Sequence, residues 1–345
     1  MNKIKNIVLY AMCVMPLLLG SCAEGWEMEE QGIVPEQRVP MRFSVAGDVA
    51  VQVSEMKTRA LESDVMEERI TVGEDVGLFI IDDADYARAV SDEPLQWSYG
   101  YCNVCAQVQG DKSIVVEDET LYYPLSRESK VAVVAYAPYR DDFDEEILSG
   151  GQVLSMENDQ TQGEAVFEND LLIGLPKDNP FRDVPTSENP SPTTSISFKH
   201  AYTRISVKLQ IPYEEDAFDR VIVSLENVLL QARVNLLAGT VEGVPESEGD
   251  IKMLDVKYGE DGVVKQENDK TIIEYECTAI TFPQSFDEEN PPHLCLELKA
   301  QYDHPSIKSS MPVTQENSDK NVKEFKAGYK VKYEMKWGLD DPAGD

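Results

Sequence analysis

From Met41 onward, apolar side chains alternate with polar ones. Met41, Phe43, Val45, Val49, Val51 and Val53 share one parity, with Gly47 as the gap, and Arg42, Ser44, Ala46, Asp48, Ala50 and Gln52 share the other. Successive side chains of an extended chain point to opposite sides, so this pattern predicts a long strand over residues 41–53 with one face toward a core. Residues 76–81 (Val-Gly-Leu-Phe-Ile-Ile) and 131–136 are instead continuously apolar over strand length, which suits the interior of a sandwich. Further strands are predicted at 194–198, 204–209, 220–225, 232–237, 271–282, 294–302 and 330–337. Helical periodicity is confined to a turn or two near 62–68 and 82–90. Regular strands with turns between them predict an all-β chain built from sandwiches.

A chain of 345 residues exceeds one small core and fits two domains of ordinary size. The stretches Pro176-Lys-Asp-Asn-Pro180 and Pro185-Thr-Ser-Glu-Asn-Pro190-Ser-Pro192 have linker or surface-loop chemistry and place a division near residue 195. The expected parts are therefore 39–195 and 196–345. At the N-terminus, Lys3 and Lys5 precede an apolar run over 7–19 that is broken by Pro16 and is too short to span a bilayer comfortably. It closes as Leu17-Leu18-Leu19-Gly20-Ser21-Cys22, which resembles the lipobox of bacterial lipoproteins. That resemblance implies a signal peptide over 1–21, a lipid on Cys22 and a flexible tether over 22–38. Lipid chains contribute about 0.8 kcal/mol per buried methylene, so several make a durable anchor to the outer membrane. The acidic run after Cys22 loosely resembles a surface-export signal of anaerobe lipoproteins.

Charge narrows the partners. The formal net charge is −33, and loss of Lys3 and Lys5 with the signal would make it more negative still. Such a chain repels nucleic acid and anionic membrane surfaces, so nucleic-acid binding is set aside. Candidate chemistry is sparse. Cys102 and Cys105 read as C-x-x-C, but a zinc site needs two more ligands, and only His200, His293 and His304 exist. The sequence around the pair reads as strand, whereas a thioredoxin-type pair needs a helix N-terminus. Cys277 and Cys295 fall on opposite parities relative to their apolar neighbours, which predicts sulfurs pointing to opposite sides if their strands adjoin. The acidic runs 141–146 and 246–250 match no calcium-loop spacing and read as solvated loops. No Gly-x-Ser-x-Gly elbow, metal triad or phosphate loop occurs, so neither an enzyme nor a cofactor is expected. Trp97, Tyr99 and Tyr101 share a strand parity and form either core or a platform for sugars.

Short motifs then line up in order. Lys57-Thr58-Arg59-Ala60 follows the first strand, and Asp75-Val-Gly-Leu-Phe-Ile80, Leu121-Tyr-Tyr-Pro124 and Val131-Ala-Val-Val-Ala-Tyr-Ala-Pro-Tyr139 come next. Asn169-Asp-Leu-Leu-Ile-Gly174, Ile196-Ser-Phe-Lys-His-Ala-Tyr-Thr-Arg-Ile205 and Phe325-Lys-Ala-Gly-Tyr-Lys-Val331 complete the series. With the lipobox, this succession resembles the fimbrillin-like (Mfa-like) lipoproteins of gut and oral anaerobes, the subunits of donor-strand pili.

The resemblance implies two tandem β-sandwich domains of transthyretin-like type, with other fimbrillin-like subunits as partners. It also implies a mechanism. An arginine-specific protease removes the first strand of such pilins, and a strand from the next subunit fills the groove. Residues 41–53 have the periodicity of a removable strand, and Arg59 is the candidate processing site, with Arg42 and Arg69 as rivals. Asp170, Gly174, His200 and the 136–139 segment are expected to be packing and turn residues. After the alternating strand Val331, Tyr333, Met335, Trp337 comes a polar tail, which is expected of a tip subunit or an anchor rather than a shaft subunit. A second class stays open: a surface lipoprotein that binds a host or bacterial glycan through Trp97, Tyr99 and Tyr101.

Overall fold

The two continuously apolar runs become strands that are dry on both faces, and the architecture is arranged around them. The computed structural model describes residues 38–50, 66, 70–162 except 92, 98, 118 and 125–129, 170–176, 181–182, 185, 188–300 except 215–216, 268–269 and 288, 306–313, and 323–338. The first part of the chain forms β1 (Arg42–Val45), β2 (Val49–Ala50), β3 (Ile70–Thr71), β4 (Asp75–Asp82), β5 (Gly100–Val108), β6 (Ser113–Val115), β7 (Val131–Ala137), β8 (Val153–Ser155), β9 (Leu172–Pro176), β10 (Phe181–Arg182) and β11 (Thr193–His200). One helix, α1 (Asp83–Val90), follows β4, with Asp82 accepting from Asp85 N as its N-cap.

Hydrogen bonding orders the main sheet β10-β7-β4-β5-β6-β1-β11-β9, and β9 also pairs with β7. The sheet therefore curls into a closed circuit. One parity of β4 and β7 (Val76, Leu78, Ile80; Val131, Val133, Ala135) fills its interior. The other parity (Phe79, Ile81; Ala132, Val134, Tyr136) packs outward into the core of the second part. With apolar neighbours on both sides, neither strand needs a polar face, and the alternation disappears.

The second part forms β12 (Thr203–Pro212), β13 (Phe218–Leu229), β14 (Gln231–Asn235), β15 (Thr240–Gly243), β16 (Glu248–Lys257), β17 (Val263–Glu267), β18 (Lys270–Thr281), β19 (Gln284–Ser285), β20 (His293–Ala300), β21 (Ile307–Pro312), β22 (Glu324–Phe325) and β23 (Lys330–Lys336). Sheets β17-β18-β12-β23 and β16-β13-β20-β21 share one core, built from alternate residues such as Val207, Leu209, Val223, Tyr275 and Leu296. In both parts the first strand runs parallel to the last: β1 beside β11 and β12 beside β23.

Two expectations from the sequence are corrected here. The division near residue 195 falls inside β11, which stays in the first sheet as the parallel partner of β1; the chain changes sheet at Ala201 and Tyr202. In addition, β8 pairs with β14, and Gln160, 1% exposed, exchanges hydrogen bonds with the backbone of Ile280, so residues 153–160 belong with the second part. The single long strand over 41–53 is also broken. β1 ends at Val45, Gly47 adopts φ +102°, and β2 pairs with β3 instead of continuing along β11. The gap in the alternation marks the place where the chain leaves the sheet, because a φ as large as +102° is one that glycine adopts freely and residues with a Cβ rarely do. Val51 and Val53 lie outside the described residues.

The outer face of the β12–β18 pair carries a buried carboxylate that links stability to pH. Glu274 meets Lys208 Nζ at 2.9 Å, Gln210 Nε2 at 2.9 Å and Lys265 Nζ at 2.5 Å. Burial alone would raise its pKa, but hydrogen bonds from Lys265, Gln210 and Lys208 outweigh it and hold the group at about 2. A carboxyl whose folded pKa is depressed stabilises the fold above its unfolded value and loses that contribution as pH falls through the folded one. Both lysines are half exposed, so the contribution is discounted to about 1–2 kcal/mol. Thermal melts between pH 5 and 2 are expected to show a decline that Glu274→Gln flattens (range set by the ordinary value of 4.5 and the folded value of about 2). Parallel pH profiles of the two proteins would contradict the assignment.

Candidate functional site

The site is β1 and the slot that holds it. Met41, Phe43 and Val45 are 8%, 5% and 7% exposed and point into the closed sheet, while Arg42 on the other parity is exposed. On one side, Arg42, Phe43, Ser44 and Val45 pair in parallel with Thr193, Thr194, Ser195 and Ile196. On the other side only Phe43 and Ser44 pair with β6, opposite Ile114 and Ser113. Four backbone bonds extend this hold: Met41 N to Leu121 O (2.8 Å), Tyr123 N to Val39 O (3.0 Å), Val45 N to Lys112 O (2.8 Å) and Ala46 N to Ile196 O (2.7 Å). Lys112 Nζ donates to Gly47 O at 2.7 Å just where the strand ends. The strand is thus an internal member of a sheet, yet it is only four residues long. Without it, β6 and β11 would each present unpaired backbone groups on either side of an apolar floor.

Elsewhere in and beside the closed sheet, residues from separate sequence motifs meet. Gly77 of β4 pairs directly with Tyr136 of β7, and a Cβ at Gly77 would lie 2.1 Å from the Tyr136 ring. That ring is fully buried, and its hydroxyl is fixed by Asn103 Oδ1 (2.5 Å) and Arg140 O (2.8 Å). Burial pushes the phenol above its ordinary pKa, so it acts as a neutral donor. Gly174 likewise pairs with Phe198 across β9 and β11. His200 Nδ1 lies 3.0 Å from Asp170 Oδ2, an oxygen also 3.0 Å from Arg204 Nη2. A carboxylate shared between an imidazole and a guanidinium is a structural polar cluster built on the Asp170–Arg204 ion pair, not the base–nucleophile geometry of a catalytic dyad.

Cys22 and Arg59 lie outside the described residues. Trp97, Tyr99 and Tyr101 do not form one platform, which corrects the expectation of a shared parity. Trp97 precedes β5 with φ +49°, so the extended phase is lost there. Its indole packs against the core of the second part, and Nε1 donates to Glu145 Oε2. Tyr99 and Tyr101 instead pack against the interior of the closed sheet, their rings edge-on at 6.0 Å. Tyr99 OH donates to Tyr122 O, and Tyr101 OH accepts from Tyr122 N at 3.1 Å.

Among the described residues, the four cysteines are free thiols. A bulge in β5 with Asn103 at φ +48° separates Cys102 from Cys105. Cys277 and Cys295 occupy strands of different sheets, and both are free thiols. Burial pushes Cys277 up to about 12; burial and the Glu226 charge push Cys295 up to about 11. Among the described residues, no group of three or more His, Cys, Asp or Glu side chains could hold a metal, and no helix is long and apolar enough to cross a membrane.

A closed first sheet, a packed second sandwich and a short internal N-terminal strand define an all-β protein of β-sandwich type. A model of the fimbrillin-like family matches residues 58–341, and the chain belongs to that family. Comparison with curated proteins returns no match. Among solved structures, a proposed cell adhesion protein of Bacteroides uniformis ATCC 8492 is similar at 14% identity and a TM-score of 0.52, covering 89% of this chain and 95% of that one. Another, from Bacteroides ovatus ATCC 8483, is similar at 15% identity and a TM-score of 0.52, covering 87% and 92%. The fimbrial anchor protein Mfa2 of Porphyromonas gingivalis aligns at 12% identity and a TM-score of 0.37 over 88% and 93%. The likeness to the two Bacteroides structures concerns the fold alone.

Proposed function

We propose that the chain is a fimbrial subunit or accessory tip adhesin, made as a lipoprotein precursor and assembled at the cell surface by exchange of β1 for a strand of another fimbrillin-like subunit. The observation that carries this reading is the position of β1: internal to a closed sheet, apolar on one parity, and held by β6 through only two paired residues. A strand from another chain with apolar residues spaced by two can satisfy the same backbone groups and fill the same space. Anchoring through Cys22 places the precursor at the outer membrane, and cleavage after Arg59 frees β1 to leave. The ligand that the assembled subunit meets is a host or bacterial surface component. No enzymatic step belongs to this reading.

Processing is tested by N-terminal sequencing of surface-assembled material. A start at Ala60 is the expected result. Material that starts only at Cys22 would overturn cleavage at Arg59 and leave the chain as a lipid-held anchor.

A further inference from the structure

The place where the chain changes sheet is also where two sequence motifs converge on one buried carboxylate. Asp170 stands shortly before β9, His200 is the last residue of β11, and Arg204 is the second residue of β12. The Asp170 side chain is 6% exposed, that of His200 12% and that of Arg204 20%. Asp170 Oδ1 is buried as well and makes no hydrogen bond among the described residues, so the contacts of Oδ2 carry the compensation of the charge. β9 and β11 belong to the closed sheet, whereas β12 opens the second part.

Only Ala201 and Tyr202 join β11 to β12, and both are buried. Each is fastened by a backbone bond: Ala201 N to Leu171 O (2.8 Å) and Gly328 N to Tyr202 O (2.9 Å). Thr203 Oγ1 adds a bond to Lys326 O at 2.6 Å. A connection this short has few torsions, and the polar cluster spans it from one sheet to the other.

We propose that Asp170 is a latch that fixes the closed sheet against the second part. Removing the Asp170 carboxylate leaves the Arg204 guanidinium without its counter-charge, so the region opens far more readily than it does with the pair in place. The latch also steadies β11, the long wall of the β1 slot; that consequence rests on the strand-exchange reading, whereas the latch itself does not.

The test is native-state trypsin digestion of the full chain and of Asp170→Asn, with fragment mapping and small-angle scattering. Lys199 and Arg204 flank the connection and supply the reporting bonds. The expected result is release of fragments beginning at His200 or Ile205 at least about tenfold faster in Asp170→Asn, with a larger radius of gyration. Unchanged rates at these two bonds would overturn the latch. So would a rise shared evenly by all lysine and arginine sites, since that reports a general loss of stability. If Asp170→Asn does not fold, Arg204→Gln, which removes the partner that β12 contributes, serves instead. A selective, several-fold rise at the Lys199 bond is expected of it, and the wild-type pattern would again overturn the proposal.

Discussion

A chain lacking residues 22–59 is expected to remain folded in its second part while exposing an apolar slot, and a synthetic peptide spanning 38–50 is expected to close that slot in trans. The truncated protein loses Met41, Phe43 and Val45 from a core in which each is at least nine-tenths buried. At about 1.5–3 kcal/mol for each buried side chain, the loss is on the order of 5–9 kcal/mol, enough to lower the melting temperature by many degrees. It also leaves Leu121 O, Lys112 O and Ile196 O without the donors they now have. Binding of an apolar dye should rise on truncation and fall on adding the peptide. A peptide carrying Phe43→Asp should have no such effect, because an unpaired carboxylate would be buried opposite Ile114. A truncated chain that melts like the intact one and ignores the peptide would remove the basis for strand exchange.

Gly77→Ala is expected to be the most damaging single methyl in the first sheet. The added carbon would sit 2.1 Å from the Tyr136 ring. That ring cannot swing aside, because its hydroxyl is held by Asn103 and Arg140 and its faces pack against Phe79 and Phe143 at centroid distances of 6.1 and 4.7 Å. Overpacking of this kind usually costs about 1–3 kcal/mol, and a pinned neighbour places the effect at or above the upper end. The signature is coupling. Tyr136→Ala alone opens a cavity, yet it should remove most of the penalty of Gly77→Ala, so the double variant should be more stable than additivity predicts. Urea unfolding of the four proteins measures this, and strict additivity would show that the close approach is relaxed elsewhere.

The same contact shows how far the sequence can be read. The apolar runs of β4 and β7 were legible as strands because burial on both faces removes the polar parity. Alternation located β11, β12, β13, β18, β20 and β23, whose one-sided patterns were plain in the residues. The helix α1 fell where a turn or two of helical periodicity was expected. Other strands were hidden. β16 begins at Glu248 inside an acidic run that read as a solvated loop, and its buried face appears only from Ile251 onward. β17 is exposed along its whole length, so it has no apolar face to betray it. Such edge strands are held by backbone bonds to one neighbour, and those bonds leave no mark on side-chain pattern.

What the amino-acid order determined by itself was local: which segments extend, which side of each is apolar, and where Gly47 interrupts a strand. It also set the strongly acidic surface and the absence of any recognisable catalytic motif. Only the tertiary structure decided that β11 stays with β1, that residues 153–160 cross to the second part, and that Trp97 faces away from Tyr99 and Tyr101. It alone brought Gly77 to Tyr136 and Asp170 to His200 and Arg204. The physical reason is that periodicity records the side on which a residue is buried, whereas pairing depends on which distant strand arrives there.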